Sequence, residues 1–316
     1  MLRVLIAALA LGVTGVGEPV ASSQPASDGP LRFNIRAALD TQVRTHGNTR
    51  WRTGIAIYSC SRDSLLYGLR ERTALVPASC QKLLTTTCAI ENWDSTLVRT
   101  LDARLDSTNL RAQVRRANRK YVDSLGLDDR PDFPGYRHLV LANRESNNSE
   151  AEWMLQITSR NRKVAAWKLL SLFLDERKVA RPGLRVWDAC GLSHRNRVAP
   201  VTLAELLVTV HESQWRDLFI STLAVPGRPG TLIKRALDVG PHVAAKTGYI
   251  RDVFSLSGYL FGQTDTFAFS FIVNGCGSGT QAYKLFNSLL NTVYGWDAGE
   301  AVALPGYAPD TETRQN

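Results

Sequence analysis

Three short patterns in this chain could together carry out acyl transfer. The first is Ser79-Cys80-Gln81-Lys82. Residues three apart on a helix share a face, so the Lys82 amine can reach the Ser79 hydroxyl. A serine hydroxyl is a weak nucleophile until a base takes its proton, and lysine is such a base only when its pKa falls. Burial, a helix N-terminus and a second cation all push it down. The second pattern is Ser146-Asn147-Asn148. Ser146 can shuttle a proton and Asn148 can hydrogen-bond a substrate amide, although Ser and Asn are also favoured helix caps. The third is Lys246-Thr247-Gly248, at the end of an apolar run. Lys246 and Thr247 can hold a terminal carboxylate by charge and hydroxyl. Gly248 lets a substrate backbone approach a strand edge. Lys246 is also the candidate second cation for Lys82.

The surrounding pattern says which elements must position these groups. Residues 31 to 50 read as a helix. Thr53 to Cys60 and Ser64 to Leu69 read as a hairpin turning at Arg62 and Asp63. Pro77 precedes a helix expected from Ser79 to Asn92, with Pro near its start. Residues 95 to 125 are polar, basic and helical in pattern, and Asp128 to Tyr136 is a loop. Helices follow near 149–159 and 162–177, then a turn-rich loop from Ala180 to Ser193 and a helix from Val201 to His211. His242 to Thr247, Val253 to Phe261 and Thr266 to Asn274 read as three antiparallel strands, and Thr280 to Tyr294 as a closing helix. Strands at both chain ends and helices between them predict an α+β fold. One antiparallel sheet is built from both ends, flanked by helices, with an inserted helical lobe. A cleft between sheet and lobe is a favoured place for chemistry.

The chain has 316 residues, enough for a sizeable core, with 44% hydrophobic and 21% charged residues and a formal charge of +9. That charge suits anionic partners. No nucleic-acid-binding motif accompanies it, and the run Arg111, Arg115, Arg116, Arg119, Lys120 reads as a solvated helix face. Arg3, the apolar stretch Val4 to Val16, and Ala21 and Ser22 read as an export signal, too short for a spanning helix. The expected location is therefore periplasmic or extracellular, with no transmembrane anchor after cleavage. Residues 1–22 are assigned to this signal peptide and 23–50 to a linker and N-terminal helix. Residues 51–95 and 236–300 are assigned to the sheet-containing part, 96–235 to the helical lobe and 301–316 to a tail. Export permits disulfides among Cys60, Cys80, Cys88, Cys190 and Cys276, and one bridge is left open. Cys80 and Cys88 are excluded as a pair, because eight helical positions rise about 12 Å. No spacing suggests a metal or other cofactor.

A serine at a helix start, Ser-x-Asn in a loop and Lys-Thr-Gly on a strand, in that order, define the penicillin-recognising serine enzymes. The flanks are more specific. VPASCQKLLTTTCAIENW, NRESNNSEAEWML, DACGLSHRNRVAP, LAVPGRPGTL, AAKTGYIRDVFSLSGYL and FAFSFIVNG resemble segments of one family. It is the D-alanyl-D-alanine carboxypeptidase/endopeptidase family, the class C low-molecular-mass penicillin-binding proteins (peptidase family S13). The resemblance spans about residues 51 to 295 with one large gap. It implies a transpeptidase/β-lactamase-like fold, Ser79 as nucleophile and Lys82 as its base. Ser146 and Asn148 would serve proton transfer and substrate binding, and Lys246, Thr247 and Gly248 would form the strand that holds the substrate carboxylate. Backbone N–H groups of Ser79 and Tyr249 would form the oxyanion hole. The implied substrate is the peptidoglycan stem peptide, with β-lactams as inhibitors.

The chain departs from that family in three places. Only 64 positions separate Lys82 from Ser146 (146 − 82), so the long insertion usual there is missing. Tyr249 stands where the family has Thr, and Ala189 and Cys190 replace small residues of its Asp-Gly-Ser-Gly loop. Two other readings stay open: a serine β-lactamase or esterase, which would need a deacylating group such as the class A glutamate, and a non-catalytic wall-binding protein that keeps the pocket.

Overall fold

The computed structural model of the protein describes residues 34–93, 135–235 and 237–299. They belong to one unit, Phe33–Asn316; a second, Met1–Arg32, lies outside the described residues, as do the expected signal peptide, the basic run at 111–120, most of the 128–136 loop and the C-terminal tail.

A five-stranded antiparallel sheet forms the centre, in the order β2-β1-β5-β4-β3. β1 (Arg52–Ser59) and β2 (Ser64–Leu69) come from the N-terminal side, and β3 (Val243–Ile250), β4 (Val253–Phe261) and β5 (Thr266–Asn274) from the C-terminal side. β1 and β5 join the two halves in register, with Ala56 opposite Ser270. β5 (TFAFSFIVN) lies between β1 and β4 and is buried on both faces, which explains its nearly continuous apolar sequence.

Alternation sends successive side chains to opposite faces. Ile55, Ile57, Phe269, Phe271 and Val273 face α1 (Ile35–His46) and the closing helix, whose Leu285, Phe286 and Leu289 complete that layer. Ala56, Ala268, Ile272 and Tyr259 face the other way, into a core shared with the remaining helices. Those are α2 (Lys82–Asn92), α3 (Tyr136–Asn143), α4 (Asn148–Arg162), α5 (Ala166–Glu176), α6 (Pro200–His211) and α7 (Arg216–Ser221); the closing helix is α8 (Gly279–Asp297). α6 comes from the middle of the chain yet packs across β1 and β5, and the Tyr259 hydroxyl of β4 donates to the Leu207 carbonyl at 2.7 Å. Lys246, Ser257, Ser270 and Ala56 form one row across the sheet. Its mostly small residues let the segment before α2 settle close to the strands.

Several boundaries differ from the sequence reading. The first helix spans Ile35–His46 rather than 31 to 50, because Asn34 caps it and Gly47 ends it. The helices expected at 149–159 and 162–177 are Asn148–Arg162 and Ala166–Glu176, broken where Lys163 turns left-handed at φ 52°. α3 and α7 are short and were not expected, since such runs hold too few turns to show a helical period. All five cysteines are buried and free, so the bridge left open does not form; they act as small core residues. Among the described residues, no helix is long and apolar enough to cross a membrane.

Candidate active site

Ser79 does not begin an α-helix, as its sequence suggests. It lies in a 3-10 turn, Ala78–Gln81, and α2 starts only at Lys82. The cause is local: Ala78 sits at φ 46°, and Cys80 N bonds back to Pro77 O at 3.2 Å. With three residues per turn, positions i and i+3 eclipse, which brings Lys82 directly onto Ser79.

Lys82 Nζ makes three hydrogen bonds: to Ser79 Oγ at 2.9 Å, to Asn148 Oδ1 at 2.8 Å and to the Cys190 carbonyl oxygen at 2.7 Å. A neutral amine has two N–H groups and one lone pair. With Asn148 and Cys190 accepting the two N–H groups, the lone pair is left facing the Ser79 hydroxyl. The lysine is fully buried, and burial lowers its pKa to about 8 against the opposing fields of nearby acids, Asp188 and Glu152 among them. Lys82 is therefore a base whose neutral form, roughly a tenth at pH 7, grows to about half near pH 8.

Lys246 is also fully buried, with Nζ donating to Thr247 O at 2.8 Å. Burial and then the neighbouring Lys82 lower it to about 7. Burial holds both lysines down, and because repulsion between two cations is mutual, a charge on either one disfavours a charge on the other.

Gly248 meets a second demand beside the expected approach of substrate. A Cβ there would lie 2.1 Å from Ser255 Oγ, 3.0 Å from Pro77 O and 3.1 Å from Ser79 N. Glycine lets the nucleophile turn press against β3, and Ser255 fastens the same place by donating to Pro77 O at 2.6 Å. β3 is an edge strand, closed at Ala245 by a two-bond bridge to Ala224 in the LAVPG segment. By the two-residue period, Thr247 and Tyr249 turn their backbone groups toward the same edge, where no other described residue pairs with the strand beyond Ala245. The Tyr249 ring, 63% exposed, rests on Phe254 with ring centroids 4.9 Å apart.

Asn148 opens α4, capped by the Asn147 side chain, which accepts from Glu150 N at 3.1 Å. Ser146 stands just before it at φ 60°, and its hydroxyl makes no hydrogen bond among the described residues. The structure therefore brings together Ser79, Lys82 and Asn148, and packs Gly248 on the Ser79 turn, but does not join Ser146 to Lys82.

The loop carrying Cys190 escaped sequence reasoning as a source of site atoms, because its contribution is a backbone carbonyl. Asp188 receives Gly191 N at 2.6 Å, Ser193 N at 2.7 Å and the Asn196 amide at 2.9 Å, while Glu152 receives Ala189 N and Cys190 N, both at 2.9 Å. Gly191 is at φ 87°, and a Cβ there would lie 1.8 Å from Ala78 O. The ligand atoms of Glu152, Asp188 and Cys190 lie within 4.8 Å of one another. Their carboxylates are turned to N–H donors, whose positive ends would repel a cation.

This sheet, with a lysine-paired serine beneath its edge strand, is the fold of the penicillin-binding proteins and serine β-lactamases. Penicillin-binding protein 4 of Haemophilus influenzae superposes with a TM-score of 0.63 at 13% identity, covering 81% of this chain and 99% of that one. A class A β-lactamase of Bacteroides cellulosilyticus superposes at 0.60 with 12% identity, covering 84% and 99%. The chain belongs to the D-Ala-D-Ala carboxypeptidase 3 (S13) family, whose model matches residues 98–290. A D-alanyl-D-alanine carboxypeptidase of Actinomadura sp. (strain R39) is 31% identical over 142 residues, and DacB of H. influenzae 30% over 97. Those matches cover 41% and 29% of this chain but only 26% and 20% of the relatives' own lengths.

Proposed function

We propose that the protein is an exported serine-type D-alanyl-D-alanine carboxypeptidase, acting on peptidoglycan stem peptides through an acyl-enzyme on Ser79 and binding β-lactams. One observation carries this reading: buried Lys82, 2.9 Å from Ser79 Oγ, has fixed acceptors for both N–H groups of its neutral amine. Family membership supports the substrate class.

In this reading Lys82 takes the Ser79 proton as Oγ attacks the carbonyl of the penultimate D-alanine. The tetrahedral intermediate collapses, the C–N bond breaks, and the departing amine takes the proton. Water then attacks the ester, releasing the shortened peptide and restoring the Ser79 hydroxyl. Backbone N–H groups of Ser79 and Tyr249 stabilise the oxyanion. The substrate lies along the open edge of β3, its carboxylate toward Thr247 and Lys246, and its charge favours the protonated form of Lys246. Ser146 serves as the shuttle to the leaving amine once the bound substrate draws its hydroxyl toward Lys82.

A β-lactamase of the class A kind needs a glutamate that activates the deacylating water. Glu152 of α4 is engaged with two backbone N–H groups instead. The test is intact-mass analysis after incubation with benzylpenicillin, beside Ser79→Ala, followed by an assay of D-alanine release. A single penicilloyl adduct absent from the variant, together with D-alanine release, is the expected result. No adduct in folded protein, with penicillin intact, would leave a non-catalytic wall-binding protein; no adduct with rapid penicillin loss would mean a β-lactamase.

A further inference from the structure

The Cys190 carbonyl can direct Lys82 only if its own peptide is held still, and the surrounding hydrogen bonds do this one group at a time. The N–H groups of Ala189 and Cys190 both donate to Glu152 Oε1 at 2.9 Å. Gly191 N donates to Asp188 Oδ1 at 2.6 Å. On the opposite side, two successive carbonyls meet α2: Ala189 O accepts from Thr85 Oγ1 at 2.9 Å, and Cys190 O accepts from Lys82 Nζ at 2.7 Å. Thr85 and Lys82 are three residues apart, so one face of α2 reads two consecutive carbonyls of the loop.

Glu152 also lies four residues after Asn148 on α4, hence on the same helical face. One helix therefore sets both acceptors of Lys82: Asn148 by direct contact, and the Cys190 carbonyl through Glu152 and the loop. Asp188 organises the far side of the same loop from within it. Glu152 is the group that ties the loop to the helix bearing Asn148.

We propose that Glu152 is a positioning residue for acylation, holding the Ala189–Cys190 peptides so that the Cys190 carbonyl fixes the orientation of Lys82. This rests on the reading of Ser79 and Lys82 as nucleophile and base. Glu152 touches neither substrate nor Ser79; it acts through the loop backbone. The chemistry asked of it is that of an oxygen acceptor for two N–H groups, which a glutamine carbonyl can also supply. Its negative charge has a separate effect, since it favours protonated Lys82.

The two effects are separated by the pH profile of the second-order rate of acylation by benzylpenicillin, measured for the wild type, Glu152→Gln and Glu152→Ala, each checked for cooperative thermal unfolding. Glu152→Gln keeps the acceptor and removes the charge. Its plateau rate stays near the wild-type value and its acid limb moves to lower pH, because neutral Lys82 is then favoured. Glu152→Ala frees the loop, and its plateau falls by roughly 10²-fold, the scale of a misplaced reacting group. Thr85→Val, which releases the Ala189 carbonyl, lowers the plateau without moving the limb, and carries the test if Glu152→Ala does not fold. The proposal is overturned if folded Glu152→Ala acylates at the wild-type plateau, if Glu152→Gln is as slow as Glu152→Ala, or if Thr85→Val, used in its place, keeps the wild-type plateau. Failure of the underlying reading looks different: the wild type itself forms no adduct, or Ser79→Ala forms it equally well.

Discussion

Cys190 meets Lys82 through its backbone, carbonyl oxygen to Nζ at 2.7 Å, and not through its thiol. The sulfur is turned to Asp188 and Glu152 instead, and burial pushes the thiol up to about 12. Cys190→Ala should therefore leave acylation within about threefold, a barrier change under about 1 kcal/mol. Thiol alkylation of the folded protein should label none of the five cysteines, all of them buried. A hundredfold loss in Cys190→Ala that keeps its fold would show that the thiol takes part.

Lys82→Ala removes the base and should slow acylation by about 10²–10⁴-fold, the usual range for general base catalysis. In the wild type, the rate should climb as pH rises through about 8, where Lys82 gives up its proton. Stopped-flow acylation between mildly acidic and alkaline pH measures this. A flat profile would remove Lys82 as the titrating base.

Lys246 should make the fold less stable near neutral pH. Its folded pKa of about 7 lies below the ordinary 10.5, so the unfolded chain holds a proton that the folded one has released. Stability from this group therefore rises as pH climbs past 7, and Lys82 acts in the same direction. Above the ordinary thiol value of 9, the buried cysteines reverse the slope, because folding holds Cys60, Cys88 and Cys190 protonated up to about 12. Lys246→Met should raise the melting temperature at pH 7 by about 2–4 °C per kcal/mol relieved. It should also flatten the rise between pH 7 and 9 and weaken binding of carboxylate-bearing ligands. A lower melting temperature at pH 7 would contradict the sign.

Gly248→Ala should damage fold and activity together. Its Cβ would collide with Ser255 Oγ at 2.1 Å and crowd Pro77 and Ser79, and overpacking of this kind costs about 1–3 kcal/mol. The readouts are a lower melting temperature and slower acylation. Unchanged acylation would mean that the Ser79 turn moves freely away from β3.

Much of this arrangement was legible from residue order. Alternating and continuous apolar runs gave β2, β4 and β5 to the residue, and both chain ends were assigned to one sheet. That Lys82 reaches Ser79 followed from their spacing, whereas Asn148 came to the same site only through the family resemblance. What stayed hidden is carried by backbone atoms and by conformation. The left-handed φ of Ala78 converts a helix start into a 3-10 turn, and no residue preference announces it. The carbonyl of Cys190 has no side-chain signature, and the crowding at Gly248 exists only once the Ser79 turn meets β3.

The bridge between Ala224 and Ala245 closes one end of the open edge of β3, and the hairpin turn at Arg251 and Asp252 closes the other. Among the described residues, only Thr247 and Tyr249 present outward backbone groups between these two ends. That interval is a ruler two residues long. A chain laid against it can be gripped at its last units, while its remainder must leave the strand. The same brevity gives a second copy of the protein too few free N–H and C=O groups to extend the sheet from molecule to molecule.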